Sequence, residues 1–274
     1  MTSTTAPALR PFLKWAGNKY RLLERIRAKL PPGRRLVEPF VGSGAVFLNT
    51  DYPRYLLTDT NPDLIGLYRL LQAEGRDFIN ACRPLFTPAN NRADRYYRLR
   101  AEFNRTRDEH RRAVLFVYLN RHGYNGLCRY NSRGVFNVPF GSYKRPYFPE
   151  AEMLAFHAKA PRAVFRLADF GEIMKKARSG DVVYCDPPYV PLSASSNFTT
   201  YSAKGFSSAQ QCELAAMARE LAQRDIPVLI SNHDTAFTRD AYAGALMEDF
   251  HVQRHISCKG HQRGKAGELL ALFT

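Results

Sequence analysis

The chain has 274 residues, 45% of them hydrophobic and 24% charged, enough to bury a core in one large α/β domain with an insertion or in two modest ones. Its formal charge of +15 at pH 7, with an isoelectric point near 9.8, points to a polyanionic partner. Five scattered cysteines (Cys82, Cys128, Cys185, Cys212, Cys258) form no C-x-x-C pair and no zinc-finger spacing, the first nine residues have no apolar core, and nothing approaches the roughly 20 apolar residues of a membrane span. The expectation is a cytoplasmic protein with reduced thiols, no metal and no membrane segment.

The first recognisable unit is Arg35-Leu36-Val37-Glu38-Pro39-Phe40, a short apolar run that ends in Val41-Gly42-Ser43-Gly44 and opens a helix at Ala45–Leu48. This is a strand, a glycine turn and a helix N-terminus. The second is Tyr55–Asp59, a strand ending in a carboxylate 17 residues after Gly42 and followed by Asn61-Pro62, a spacing that fits a nucleotide-binding β-α-β unit. A basic segment follows. Residues 62–149 carry 16 Lys/Arg against 7 Asp/Glu, interleaved with tyrosines including Tyr96, Tyr97, Tyr118, Tyr124, Tyr130 and Tyr143, a mixture suited to a charged backbone with stackable bases. Helices are expected over 63–71, 95–104 and 111–121, the apolar run Ala113–Leu119 being buried. A Gly/Asn-rich stretch, with Gly134–Val138 strand-like, predicts a hairpin over about 123–144.

Asp181–Asp186 is a near-continuous apolar strand of the kind found in parallel sheets covered on both faces, and Pro187-Pro188 stops it. A polar loop runs from Val190 to Gly205. Ser207 with Gln210 then reads as a capping box for an amphipathic helix to about Gln223, followed by a strand at Pro227–Ser231. The fold expected is α/β: a Rossmann-like sheet formed by 1–61 and 150–274, interrupted by a helical insertion, 62–149, that carries the hairpin.

Two features carry chemistry. Gly42-x-Gly44 lets backbone approach a nucleoside, although Phe47 stands where a dinucleotide fingerprint has its third glycine, and Asp59 is placed to accept ribose hydroxyls. With no lysine-rich phosphate loop, a nucleoside lacking phosphates is favoured, which suggests S-adenosylmethionine. The second feature is Asp186-Pro187-Pro188-Tyr189. Strings of this kind arise by chance in about one chain in a hundred of this length. At the carboxyl end of a buried strand, the Asp186 carboxylate and the Pro187 carbonyl can each accept one N–H of an exocyclic amine, localising a lone pair otherwise delocalised into the ring. Proline fixes φ and offers no competing donor, and Tyr189 can stack on the base.

With these motifs in place, the sequence resembles the DNA adenine methyltransferases of the Dam type, which methylate adenine in duplex GATC. The match runs from Phe12–Lys19 through Val37–Gly44, Asn120–Tyr130, Asn137–Gly141 and the D-P-P-Y site to Ile230–Asp234, leaving only about nine N-terminal residues outside it. The resemblance implies that Trp15, Lys19, Phe40, Asp59 and Asp186 surround the cofactor and that Asp186, Pro187 and Tyr189 form the target-base pocket. It implies that Arg129 reads a guanine through O6 and N7 and that Lys14 contacts the first guanine of the site. Leu127 and Tyr124 correspond to wedging or stacking residues, Asn125 to one facing the thymine left unpaired, and Pro139 to a thymine contact; Asn137 and Tyr143 complete the DNA-facing set. Because N6 of a paired adenine is out of reach, the family flips the base. Its members are monomeric, and action on double-stranded DNA places such an enzyme at the nucleoid.

Two positions depart from the family pattern. Asn18 stands where glycine is common, and Ser142 where an arginine touches phosphate, so a shallower salt dependence of DNA affinity is expected, recoverable by Ser142→Arg. The adenine-side cofactor contact near Asp169-Phe170 is poorly matched. The alternatives are a catalytically silent nucleic-acid-binding module, an amino-methyltransferase of different sequence or base specificity, or a hydrolase built on the nearby Ser231, His233 and Asp234. The last lacks a G-x-S-x-G elbow, and His251, His255 and His261 have no metal-ligand spacing.

Overall fold

A computed structural model describes residues 8–190, 206–253 and 265–274. After a 3-10 turn at Lys19–Leu22, α1 (Leu23–Lys29) leads into β1 (Arg35–Glu38), and the glycine turn into α2 (Ala45–Asn49) and β2 (Arg54–Asp59). The chain then leaves the sheet through α3 (Pro62–Glu74), α4 (Arg76–Cys82), α5 (Ala93–Arg105) and α6 (Glu109–His122), and returns through α7 (Glu150–Lys159) to β3 (Ala163–Leu167). It finishes with α8 (Phe170–Lys175), β4 (Asp181–Cys185), α9 (Ser208–Ala222), β5 (Val228–His233), α10 (Ala236–Ala241), β6 (Leu246–Gln253) and β7 (Lys265–Phe273). Most of the polar loop expected from Val190 to Gly205, together with His255, Cys258 and His261, lies outside the described residues. Among the described residues no helix is long and apolar enough to cross a membrane, no group of side chains could hold a metal ion, and Cys82, Cys128, Cys185 and Cys212 are unbridged.

The strands form one sheet in the order β3-β2-β1-β4-β5-β7-β6, with β1 to β5 parallel and β7 antiparallel to both neighbours. This is the expected Rossmann-like α/β architecture. Alternate residues of each central strand enter opposite cores. Leu36, Tyr55, Leu57, Val182, Tyr184 and Leu229 pack on the side of α1, α3 and α6, while Val37, Leu56, Val183, Cys185, Val228 and Ile230 pack against α8 and α9. Burial on both faces explains why these strands read as continuous apolar runs. The edge strand β3 does not, because Val164 and Leu167 are half exposed. Strand order reverses between β1 and β4, where Val37 pairs with Val183, so the carboxyl ends of these two strands open the crevice in which such sheets bind ligands.

Local chemistry fixes the helix starts. Asn61 accepts from the amides of Asp63 and Leu64 with Pro62 in the first turn of α3, Asp108 caps α6, and Ser207 with Gln210 forms the complete capping box of α9. The side chains of α4, α5 and α6 join the apolar cluster of one sheet face, so the insertion and that face share a continuous core that includes Ala113–Leu119.

The expected hairpin is only partly formed. The segment folds back on itself, but its pairing is reduced to two isolated bridges, Gly123 to Phe140 and Tyr130 to Phe136. The two bridges are out of register with one another because the 3-10 turn Tyr124–Gly126 intervenes on one side only. Their cross-segment bonds run through Arg129 O, Asn137 N, Tyr124 N and Pro139 O, so the backbone of Phe136 and Val138 faces outward. There α5 satisfies it: Asn104 donates to Phe136 O (3.0 Å) and accepts from Phe136 N (2.9 Å), and Tyr96 and Arg100 donate to Val138 O (3.1 and 2.8 Å).

Candidate active site

At the carboxyl end of β1, Gly42 has φ +47 and a Cβ there would stand 3.0 Å from Nε1 of Trp15, so only glycine lets the indole lie against the turn. Gly44, at φ +72, starts α2. Asp59, at the end of β2, accepts from the amides of Gly42 (3.2 Å) and Asn61 (2.9 Å), and burial pushes its carboxyl up to about 6 against the pull of these bonds. Phe40 stacks on Phe170 (centroids 5.6 Å) and meets Phe206 edge-on. Trp15, Phe40, Gly42, Gly44 and Asp59 thus gather on one rim of the sheet. Phe170 joins them although its sequence match is weak, while Asp169 is occupied in capping α8.

On the adjoining strand, Asp186 leaves the end of β4 and pairs with Lys19 at 2.8 Å; Lys19 is 6% exposed. Ser231 on β5 donates to Asp186 Oδ1 at 3.1 Å. Burial raises the Asp186 carboxyl above its ordinary value, and the Lys19 ammonium and Ser231 hydroxyl partly offset this. The same ammonium sits 4.4 Å from the centre of the Tyr189 ring, whose hydroxyl donates to Glu268 at 3.3 Å and whose edge meets His233. Pro187 is buried and Pro188 exposed. Lys19 therefore ties the N-terminal segment to both ends of the D-P-P-Y motif. Asn18 is accommodated as the cap of the turn, accepting from Tyr20 N at 2.8 Å.

The residues expected to face DNA gather on the irregular loop and on Lys14. Lys14 exchanges backbone hydrogen bonds with Asn120 (2.9 and 2.7 Å), its stem packs so closely on Gly126 (φ +62) that a Cβ there would collide with it, and its ammonium stands 3.8 Å over the Tyr143 ring. Burial, with Arg121 nearby, lowers its pKa to about 8. Tyr124 and Asn125 are exposed, Asn125 at φ +53, and Tyr124 N donates to the carbonyl of exposed Pro139 (2.9 Å), while Leu127 is half-buried. Arg129 gives its Nε to Asn137 Oδ1 at 2.8 Å. Asn137 therefore orients the guanidinium.

Several contributors were not legible in the sequence. The Tyr130 hydroxyl donates to Asp63 Oδ2 at 2.6 Å, and Asp63 also holds Arg112; Asn61 reaches Cys128 Sγ at 3.5 Å. Both neighbours of Arg129 are thereby tied to the cap and first turn of α3, two and four residues beyond Asp59. Glu38 is 2% exposed and its Oε1 has no hydrogen-bond partner among the described residues. Burial, aided by the charge of Asp186, pushes its carboxyl up to about 8, with Lys159 opposing. The hydrolase alternative finds no geometry. Ser231 turns to Asp186, His233 directs Nδ1 to Val190 O (2.7 Å), and Asp234 gives both oxygens to Arg239, so the three side chains serve three different partners.

Sheet order, crevice and the carboxylates converging on it define a methyltransferase of Rossmann-like fold. Residues 15–256 match the model of the D12 class N6 adenine-specific DNA methyltransferases. The chain is 56% identical over 264 residues to a DNA adenine methylase of Salmonella typhimurium (96% of this chain, 95% of the relative). It is 55% identical over 264 residues to one of Escherichia coli K12 (96% and 95%) and 54% identical over 266 residues to one of Vibrio cholerae (97% and 96%). The chain belongs to the D12 class N6 adenine-specific DNA methyltransferase family; it is an enzyme that methylates adenine N6 in DNA.

Proposed function

We propose that this enzyme transfers the methyl group of S-adenosylmethionine to N6 of an adenine flipped out of double-stranded GATC, acting as a cytoplasmic, nucleoid-associated monomer. The observation that carries the reading is the meeting of Lys19, Asp186 and Tyr189 past the end of β4, the strand neighbouring β1 and its glycine turn. The cofactor fits the residues present. Trp15 lies against the Gly42 turn, Asp59 offers a carboxylate for ribose hydroxyls, Phe40 and Phe170 offer aromatic side chains, and the orphaned buried oxygen of Glu38 suits an ammonium. When bound, S-adenosylmethionine supplies an electrophilic methyl group on a sulfonium.

The chain's own residues prepare the nucleophile. Asp186, fixed by Lys19 and Ser231, accepts one N6 hydrogen, and the Pro187 carbonyl accepts the other, which draws the amine lone pair out of ring conjugation. Tyr189, held by Glu268, His233 and Lys19, stacks on the base. Desolvation of the pocket strengthens each of these contacts. Lys14, Tyr124, Asn125, Leu127, Arg129, Pro139 and Tyr143 face the duplex, with Arg129 presenting to guanine the nitrogens that Asn137 leaves exposed. The helical segment 62–149 is the target-recognition part and the remainder the catalytic part.

The test is incubation with S-adenosylmethionine and a plasmid free of adenine methylation, then base mapping and digestion with nucleases that distinguish methylated from unmethylated GATC. Protection confined to GATC, lost in Asp186→Ala, supports the whole reading. N6-methyladenine at other sequences overturns the assignment of Arg129 and its neighbours. Unimpaired transfer by Asp186→Ala overturns the pocket.

A further inference from the structure

The tetrapeptide Asp186–Tyr189 poses a mechanical problem. The β4–β5 ladder ends with Cys185 opposite Ile230, and neither Pro187 nor Pro188 has an N–H with which to be held. A carbonyl that must meet a substrate amine cannot be aimed by the sheet alone, and this one is followed by an exposed proline.

The holding is done by three buried side chains, two of them, Gln211 and Tyr242, from outside the strands that carry the pocket. Gln211 on α9 donates its Nε2 to Pro188 O at 2.9 Å. Asn232 on β5 accepts from Val190 N at 3.2 Å. The two are joined to each other, Asn232 Nδ2 to Gln211 Oε1 at 3.1 Å, and both to the hydroxyl of Tyr242, at 2.9 and 3.2 Å. Gln211 is 1% exposed, and Asn232 and Tyr242 are fully buried.

Hydrogen-bond polarity leaves this network one arrangement. Pro188 O only accepts, so Gln211 must turn its amide nitrogen to it and its oxygen to its neighbours. Val190 N only donates, so Asn232 must turn its oxygen outward and spend its two amide hydrogens on Gln211 and Tyr242. The Tyr242 hydroxyl then accepts from Asn232 and donates to Gln211. No member can flip without leaving a buried group unpaired, and the backbone groups flanking Tyr189 on both sides are fixed by one unit.

We propose that Gln211, Asn232 and Tyr242 are positioning residues for methyl transfer: a buried clamp that sets the Pro187 carbonyl and the Tyr189 ring for the target adenine without touching it. This inference rests on Asp186–Tyr189 being the target-base pocket. Misplacement of reacting groups by about 1 Å costs on the order of 100-fold in rate. Gln211→Met keeps the volume and cannot donate; it should lower the single-turnover methylation rate by about 10- to 100-fold while affinities for duplex GATC and S-adenosylmethionine stay within about threefold. Tyr242→Phe keeps the ring against Phe273 and deletes only the orienting hydroxyl, so it should lose about three- to tenfold in the same rate.

Rates are to be measured well below each variant's melting temperature, where a network that merely stabilises the fold would leave the single-turnover rate unchanged. A wild-type rate in both variants, or equal losses in rate and binding, overturns the clamp. Should Gln211→Met not fold, Tyr242→Phe decides alone between the same two outcomes. Asp186→Ala in the same assay separates the two readings: if it transfers normally the pocket itself is misassigned, whereas if it is inactive and the clamp variants are normal, only the clamp fails.

Discussion

The catalytic end of the sheet and the DNA-facing loop solve one problem, the aiming of a few polar groups, by different means. At the sheet end, strand register fixes Asp59 and carries the chain to Cys185, and buried side chains finish the work: Lys19 and Ser231 on Asp186, and Gln211 and Asn232 on the backbone after it. In the loop there is almost no ladder, only two bridges, and Arg129 is aimed by Asn137 and by its neighbours' ties to Asp63 and Asn61. The difference teaches where change should be tolerated. The groups proposed to do chemistry sit on a frame with little slack, whereas those proposed to read sequence hang on side-chain tethers that can be altered singly.

The largest effect should come from the frame. Asp186→Asn keeps the shape but weakens the acceptor and leaves the buried Lys19 ammonium without its partner, so methyl transfer should fall by at least about 100-fold while duplex affinity holds within several-fold, as single-turnover and binding measurements would read. A loss mainly in binding would erase the proposed contrast. Arg129→Ala should do the reverse, keeping the rate on cognate DNA at saturating enzyme closer to normal while removing about 1–3 kcal/mol of discrimination between GATC and sites altered at the guanine. Tyr130→Phe, which cuts one tether only, should lose a few-fold of that discrimination.

Both motifs on the frame were legible because strands buried on two faces must be apolar throughout and their ends must turn sharply; Val182–Cys185 and the following prolines announce a site almost without context. The strands β1, β2, β4 and β5 were legible from the alternating units, but their order in the sheet was not, and β3, β6 and β7 were not apparent, β3 because an edge strand exposes alternate residues. The hairpin was read from its turn residues, and only the structure shows the 3-10 turn Tyr124–Gly126 shifting its register and Asn104, Tyr96 and Arg100 holding its outer edge. The pairings of Asp63 with Tyr130 and of Gln211 with Pro188 join residues 67 and 23 positions apart, and no local pattern encodes them.

The two regions should also part company with pH. Burial holds His122, beneath the loop, down to about 4, aided by Lys14 and Arg121 and opposed by its bond to Tyr118 O, so between about 4 and 6.5 the folded state binds fewer protons than the unfolded one. Stability contributed there rises with pH and is lost on acidification. Glu38 runs the other way: raised to about 8, it keeps a proton that the unfolded chain releases near 4.5, so its contribution fades as pH climbs through that window. Urea unfolding should show both limbs, on the order of 3 kcal/mol for His122 and about 5 kcal/mol for Glu38 at most. Glu38→Gln should flatten the alkaline limb and leave the acid one, and His122→Asn the converse. Loss of both limbs in either variant would contradict the separation.

The smallest effect concerns the loop's rim, where Ser142 is exposed at φ +50, beside Lys144 and Arg145. A left-handed backbone at a non-glycine residue is costly, and here serine places no cation where the family's pattern implies one. Ser142→Arg adds a charge without touching the frame. One further phosphate contact should steepen the slope of log affinity against log salt by about 0.9 and leave the single-turnover rate on bound DNA unchanged. Ser142→Gly, which relieves the backbone and adds no charge, should leave the slope where it is. If glycine steepens the slope as arginine does, loop geometry rather than charge sets the phosphate contacts, and the loop is then less a set of separable tethers than a second rigid frame.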